Sequence, residues 1–291
     1  KLSKMKKIAS ILATALVSSG FTTVILFDHF TGRFPWVTPD SENVSRSVIR
    51  SRVLNEDREV IVHLPRNYDS TARYPVMYVL DGGAQDDHLF RTLEILSTAG
   101  YAPPTLVVGI PNMTDENRQR DLVPPFMNIE VEDSNSPRGD GHEFLMFIES
   151  ELIPFIESNY ATSQIRSFSG YSRGGLLVMY SLLYKPDLFQ ARFCFSTPFW
   201  RQDNILGSKM DEFLSSQDRL DTFMYMSAGT NETGNIKTGL DNMVKIFRDK
   251  APEGIAWYAD LTPGADHQNN SQLSAPRAIG AWANYLRTPK P

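Results

Sequence analysis

The stretch IRSFSGYSRGG, residues 165–175, decides the fold. Ile165–Ser169 reads as a strand and Gly174–Leu183 as a helix. Between them Gly170-Tyr171-Ser172-Arg173-Gly174 satisfies the pattern G-x-S-x-G. A serine on a sharp strand-to-helix turn, with glycines two positions to either side, is the local signature of a nucleophile elbow. The glycines give the flanking elements room to approach, and the helix N-terminus favours developing negative charge beside the serine. Five residues alone are a weak pattern. The strand before and the helix after give it weight.

Outward from this point, apolar runs and amphipathic stretches alternate. Tyr74–Leu80, Thr105–Ile110, Ala191–Ser196, Thr222–Ser227 and Ile255–Leu261 read as strands. Helical patterns lie over Gln85–Ser97, His142–Ser158, Lys209–Ser215, Thr238–Lys250 and Ser274–Leu286. Val48–Val53 and Glu59–Leu64 flank turn residues Asn55-Glu56-Asp57 and read as two further strands. The alternation predicts βαβ units and a mostly parallel sheet in an α/β domain. Residues 111–141 lack sustained periodicity and read as a long loop bordering a site. Between the strands ending at Ser196 and starting at Thr222 lie only 25 residues, enough for a crossover helix but not for a separate lid.

A serine hydroxyl needs a base to become a useful nucleophile. Of five histidines, only His267 follows Ser172, on a segment between the last strand and the last helix. His29, His63, His88 and His142 read as structural or solvent-facing. The orienting acid belongs on a loop between serine and histidine. Glu232, just beyond the strand Thr222–Ser227, is the leading candidate, with Asp241 and Asp260 as alternatives. Two backbone N–H groups must hold an oxyanion. Arg173, following the nucleophile, is one, and Gly83 in Leu80-Asp81-Gly82-Gly83-Ala84 is the other, with Gly82 in reserve. Trp200, followed by Arg201, Gln202 and Asp203, is placed to be half-exposed and to stack on a flat substrate group; Phe199 reads as core.

The chain has 291 residues, 41 % hydrophobic and 22 % charged, which excludes a disordered or multi-span protein. Its net charge is −5, and four of its lysines precede any acidic residue, so the body is more acidic still. Such a surface is a poor nucleic-acid partner. The single cysteine, Cys194, excludes an internal disulfide framework and a cysteine-rich zinc site. Asp86-Asp87-His88 is too compressed to supply a zinc set, so no metal or organic cofactor is expected.

Lys6 and Lys7 precede an uncharged run from Ile8 to Phe27, which reads as an export signal or an uncleaved membrane anchor. The expected organisation is a signal or anchor over 1–34, a Pro/Ser/Asp-rich linker over 35–45 and a catalytic domain over 46–291. Lysines before the apolar run and Asp28 after it put the body outside the cytoplasm, periplasmic or extracellular.

The chain also resembles a known family. YPVMYVLDGG (74–83), VVGIPN (107–112), RDLVPP (120–125), ELIPFIESNY (151–160), SGYSRGG (169–175), STPFW (196–200), GTNET (229–233) and GADHQ (264–268) are similar to the esterase D-like α/β-hydrolases. That family includes siderophore trilactone esterases and feruloyl or acetyl esterases. The resemblance implies an α/β-hydrolase three-layer sandwich without a large lid domain and a Ser172–Glu232–His267 triad. It implies Gly83 and Arg173 as oxyanion donors, and a small-molecule ester as substrate. Tyr171 stands where the family often has His, and Arg173 where Leu or Met is common. Some siderophore esterases of this kind work with a Ser–His dyad, which leaves the role of Glu232 open. An acyltransferase or a non-catalytic binding module on the same fold are the alternatives.

Overall fold

In the computed structural model, which describes residues 43–288 other than 132 and 134, Tyr74–Leu80 forms a strand, β3, buried along its whole length. Its two sides enter different cores. Tyr74, Val76, Tyr78 and Leu80 join one hydrophobic cluster, and Met77 and Val79 join another on the opposite face. Side chains alternate along a strand, so one covered on both faces must be apolar throughout.

The other strands are β1 (Val44–Arg50), β2 (Asp57–His63), β4 (Leu106–Ile110), β5 (Thr162–Tyr171), β6 (Ala191–Phe195), β7 (Phe223–Gly229) and β8 (Ala256–Thr262). Among the described residues they form one sheet in the order β1-β2-β4-β3-β5-β6-β7-β8. β1 and β2 pair antiparallel, as do β2 and β4, and every later pairing is parallel. The helices are α1 (Asp86–Thr98), α2 (Asp115–Asp121), α3 (Gly141–Phe147), α4 (Ile153–Asn159), α5 (Arg173–Tyr184), α6 (Arg201–Ser215), α7 (Gly234–Lys250) and α8 (Asn270–Arg287). A π-helical turn, Ile148–Leu152, links α3 to α4. α1 and α8 cover one face of the sheet, through Leu89, Phe90 and Leu93 and through Ala275, Ile279 and Trp282. α3 to α7 cover the other face. This is the three-layer α/β-hydrolase sandwich, with a single helix, α6, between β6 and β7 and no large lid.

Parallel strands all end at the same edge, and ligands in such sheets bind beyond those C-terminal ends. The segments after β3, β5, β7 and β8 therefore bring Gly82-Gly83, Ser172, Glu232 and His267 to one side of the molecule.

Several elements differ from the expectation. β1 starts at Val44, so the last residues of the expected linker belong to the sheet. Residues 111–141 are not all loop: α2 lies within them, capped by Thr114, whose hydroxyl accepts the Asn117 N–H at 3.1 Å. Its sequence DENRQRD has no apolar stripe to reveal it. α6 begins at Arg201, well before Lys209, but Gln202, Asp203 and Asn204 have left-handed φ of 47°, 54° and 60° and break the helical pattern there. The expected anchor over 1–34 and the linker up to residue 42 lie outside the described residues. Among the described residues no helix is long and apolar enough to cross a membrane.

Candidate active site

Ser172 sits between β5 and α5 with φ 52° and ψ −120°, a conformation that side chains other than glycine rarely adopt. Its N–H is fixed on the Phe195 carbonyl at 2.8 Å. Such strain persists only where the surroundings impose it. Glycine is required on both sides of this turn, though not at both motif positions. A Cβ on Gly170 would lie 2.4 Å from Gly174, and one on Gly175 would lie 1.9 Å from Thr197 Oγ1. At Gly174, the motif's second glycine, a Cβ would meet only ordinary contacts at 3.5 Å.

His267 comes from the turn between β8 and α8. Ser172 Oγ lies 3.0 Å from His267 Nε2, and His267 Nδ1 lies 2.8 Å from Glu232 Oε2. The Glu232 side chain is fully buried, while that of His267 is 39 % exposed. Glu232 Oε1 accepts from the Ser196 hydroxyl at 2.6 Å and from the Gly229 N–H at 2.9 Å. Burial alone would raise the Glu232 pKa, but hydrogen bonds from His267, Ser196 and Gly229 outweigh it and hold the carboxyl below its ordinary value. Ser196, itself at φ 51°, also receives the Asn270 amide at 3.0 Å, and that amide reaches Ser227 Oγ at 3.1 Å. The alternative acids are elsewhere. Asp241 is exposed on α7, and Asp260 is bonded to Tyr225 and Arg277.

The two expected oxyanion donors differ in their hydrogen bonding. The Arg173 N–H, at the first position of α5, has no acceptor among the described residues. Gly83 is different: its N–H donates to Asp86 Oδ1 at 2.7 Å. The reserve donor, Gly82, gives its N–H to the Ile110 carbonyl at 3.0 Å. Gly83 has φ +86°, and its amide meets a carboxylate that is 1 % exposed. Asp86 Oδ2 is bonded in turn to His63 Nε2 at 2.8 Å. Burial would raise the Asp86 pKa, but His63 and the Gly83 N–H outweigh it and keep the carboxyl low. A buried carboxylate must find donors, and the nearest is the Gly83 amide. The rest of the Asp86-Asp87-His88 run diverges, Asp87 to Arg91 and His88 to Gln85.

A cavity of about 480 Å³ opens beside the elbow, lined by Asp81, Gln85, Asn112, Met113, Arg118 and Tyr171 among others. Arg118 clamps Asp81 with two hydrogen bonds, of 2.6 and 3.0 Å, and Asn112 adds a third. Asp81 is thereby held at φ 57° immediately before the Gly82-Gly83 pair. Two more guanidiniums lie within electrostatic reach. Burial lowers the pKa of Arg173, as does the charge of Arg118. Burial, together with Arg173, pushes that of Arg201 down to about 10. Arg173 Nη1 and Arg201 Nε are buried without hydrogen-bond partners among the described residues.

Trp200 is half-buried against the core and does not line this cavity. Phe199 is core, as expected. Arg201, whose charge suggested exposure, is 2 % exposed, with its guanidinium on the Asn128 and Ile129 carbonyls. Ser196, Asn270, Arg118, Tyr171 and the His63–Asp86 pair were not found in sequence. Only Tyr171, next to the nucleophile, carried a usable signal.

The fold and the elbow define an α/β-hydrolase. The model of the family described as "Putative esterase" matches residues 51–249, and the chain belongs to that family. It is 32 % identical over 186 residues to the ferri-bacillibactin esterase of Bacillus subtilis, covering 58 % of this chain and 63 % of that protein. It is 28 % identical over 165 residues to the iron(III) enterobactin esterase of Dickeya dadantii, covering 56 % of this chain and 35 % of that protein. The matches thus span less than two thirds of these relatives' lengths. An IroE-like serine hydrolase from Shewanella oneidensis superposes with a TM-score of 0.74 at 29 % identity, over 83 % of this chain and 80 % of that one.

Proposed function

We propose that this protein is a serine ester hydrolase that cleaves short-chain, aromatic or siderophore-type esters through an acyl-enzyme. The observation that carries the reading is the hydrogen-bonded line from Ser172 Oγ through His267 to Glu232 Oε2, starting at a strained elbow. His267 takes the Ser172 proton as Oγ attacks the ester carbonyl, and Glu232 holds the imidazole and stabilises its cation. The Arg173 N–H receives the oxyanion, joined by the Gly83 N–H as that amide turns from Asp86 to the substrate. His267 then protonates the leaving alcohol and activates water to release the acyl group.

Arg173, partly desolvated and without an ion pair among the described residues, favours an anionic substrate, since positive charge attracts the opposite charge. The relatives named as ferri-bacillibactin and iron(III) enterobactin esterases support the siderophore-type ester. The single helix between β6 and β7 among the described residues supports an open cleft without interfacial activation. The basic, apolar N-terminal run favours action outside the cytoplasm.

The test is covalent labelling by a fluorophosphonate, with the modified peptide mapped to Ser172, alongside hydrolysis of p-nitrophenyl acetate and a catecholate trilactone. Ser172→Ala should abolish both. Turnover within tenfold of the parent would sink the assignment.

A further inference from the structure

The base of the proposed reaction is carried by the turn between β8 and α8. β8, from which the segment leaves, is the last strand of the sheet, and Gly264, just beyond it, stands at φ +73°. Three of the segment's ties lead to the acid's side: the Asn231 N–H donates to Ala265 O at 2.8 Å, the Asn231 amide to Gly264 O at 3.1 Å, and the Gly264 N–H to Thr230 Oγ1 at 2.8 Å. Others are internal, from Asp266 to Asn269 and from Gln268 to Asp266. The tie to the nucleophile's side comes from Tyr171, whose hydroxyl donates to the main-chain carbonyl of His267. The Tyr171 ring also packs on the imidazole, with centroids 5.1 Å apart and planes at 43°.

We infer that Tyr171 is a positioning residue, a latch that sets the main chain of His267 at a fixed distance from Ser172. The inference rests on the ester-hydrolase reading of the same site. Tyr171 and Ser172 share a peptide bond, so one side chain couples the placement of nucleophile and base. The phenol remains a donor across the working pH range. Burial together with the charges of Glu232, Asp81 and Asp266 pushes its pKa up to about 12, against the opposing effect of Arg118. Geometry of this kind matters because a misplacement of about 1 Å can cost on the order of a hundredfold in rate. Tyr171 also lines the cavity, so a wall residue and a latch must be told apart.

The experiment uses the full chain with Tyr171→Phe, which removes the hydroxyl and keeps the ring. It measures kcat and KM on p-nitrophenyl acetate and the second-order rate of fluorophosphonate labelling at Ser172. The far-downfield proton resonance of His267 Nδ1–H is recorded as well. The latch predicts that kcat and the labelling rate fall together by roughly tenfold, KM stays within about twofold, and the Nδ1 resonance broadens. Unchanged kcat and labelling, or a raised KM with kcat intact, overturns it. If Tyr171→Phe does not fold, Tyr171→Met takes its place, because it too fills space without offering a donor, and the same readings apply. An inert wild type with Ser172 unlabelled overturns the hydrolase reading and the latch with it. An active, labelled wild type with an unaltered variant overturns the latch alone.

Discussion

Ser196 donates its hydroxyl to Glu232 Oε1 at 2.6 Å, on the carboxylate oxygen not used by His267. Each oxygen of the acid therefore has its own task. One faces the base, and the other is fixed by Ser196 and the Gly229 amide. Ser196→Ala would leave a buried anion short of a donor, which costs about 1–3 kcal/mol. The expected result is a lowered melting temperature and a several-fold fall in kcat, read by calorimetry and steady-state kinetics. Unchanged stability would mean that Ser196 merely fills space.

Glu232→Ala should lower kcat by on the order of a hundredfold or more, and by less than His267→Ala, since the acid orients the imidazole without transferring the proton. Asp260→Asn should leave kcat within about twofold, because Asp260 serves Tyr225 and Arg277. A larger loss from Asp260→Asn with the fold intact would move the acid to β8.

The Glu232 carboxyl is held below its ordinary value of 4.5, and this fixes the sign of its contribution to stability. A depressed pKa stabilises the folded chain above the unfolded value and loses that contribution as pH falls through the folded one. The difference in melting temperature between wild type and Glu232→Gln should therefore be largest near neutrality and shrink as pH drops below 4.5. A difference that is flat across this range would show that charge at Glu232 does not contribute.

The glycines of the elbow separate motif from sterics. Gly175→Ala places a Cβ 1.9 Å from Thr197 Oγ1 and should be destabilised by a few kcal/mol, in line with overpacking of a close-packed contact. Gly174→Ala meets nothing closer than 3.5 Å and should be tolerated or slightly stabilising, since alanine suits a helix better. Thermal melts of the two variants decide it, and equal losses would contradict the geometry.

The features legible in the sequence are those governed by local rules. The all-apolar run of β3, the strand–serine–helix context of Ser172 and the lone downstream His267 each come from spacing or chain order. What is not legible mostly involves residues far apart in sequence. The Gly83 amide meets the buried Asp86 carboxylate, which also bonds His63, 23 residues before it. Arg201 is buried because the carbonyls of Asn128 and Ile129 wait for it across 73 and 72 residues. Helix α2 escaped because it is short and wholly polar.

Arg173 separates two contributions that its position combines. Its backbone N–H is the proposed oxyanion donor, while its guanidinium is partly desolvated, with Nη1 lacking a hydrogen-bond partner among the described residues. The side chain makes no ion pair among the described residues, and burial together with Arg118 lowers its pKa. Unpaired, partly desolvated cationic charge is costly to maintain unless a ligand supplies the anion. Arg173→Ala keeps the N–H and removes only the charge. On neutral p-nitrophenyl acetate its kcat should stay within about threefold of wild type, because the backbone donor is intact. On an anionic catecholate trilactone KM should rise by roughly tenfold, the loss of one charge-assisted contact. That difference should shrink as salt is raised, since screening weakens the attraction that the arginine supplies. Equal losses on both substrates would assign Arg173 to the structure of the elbow, and no loss on either would leave the anionic substrate without its main support.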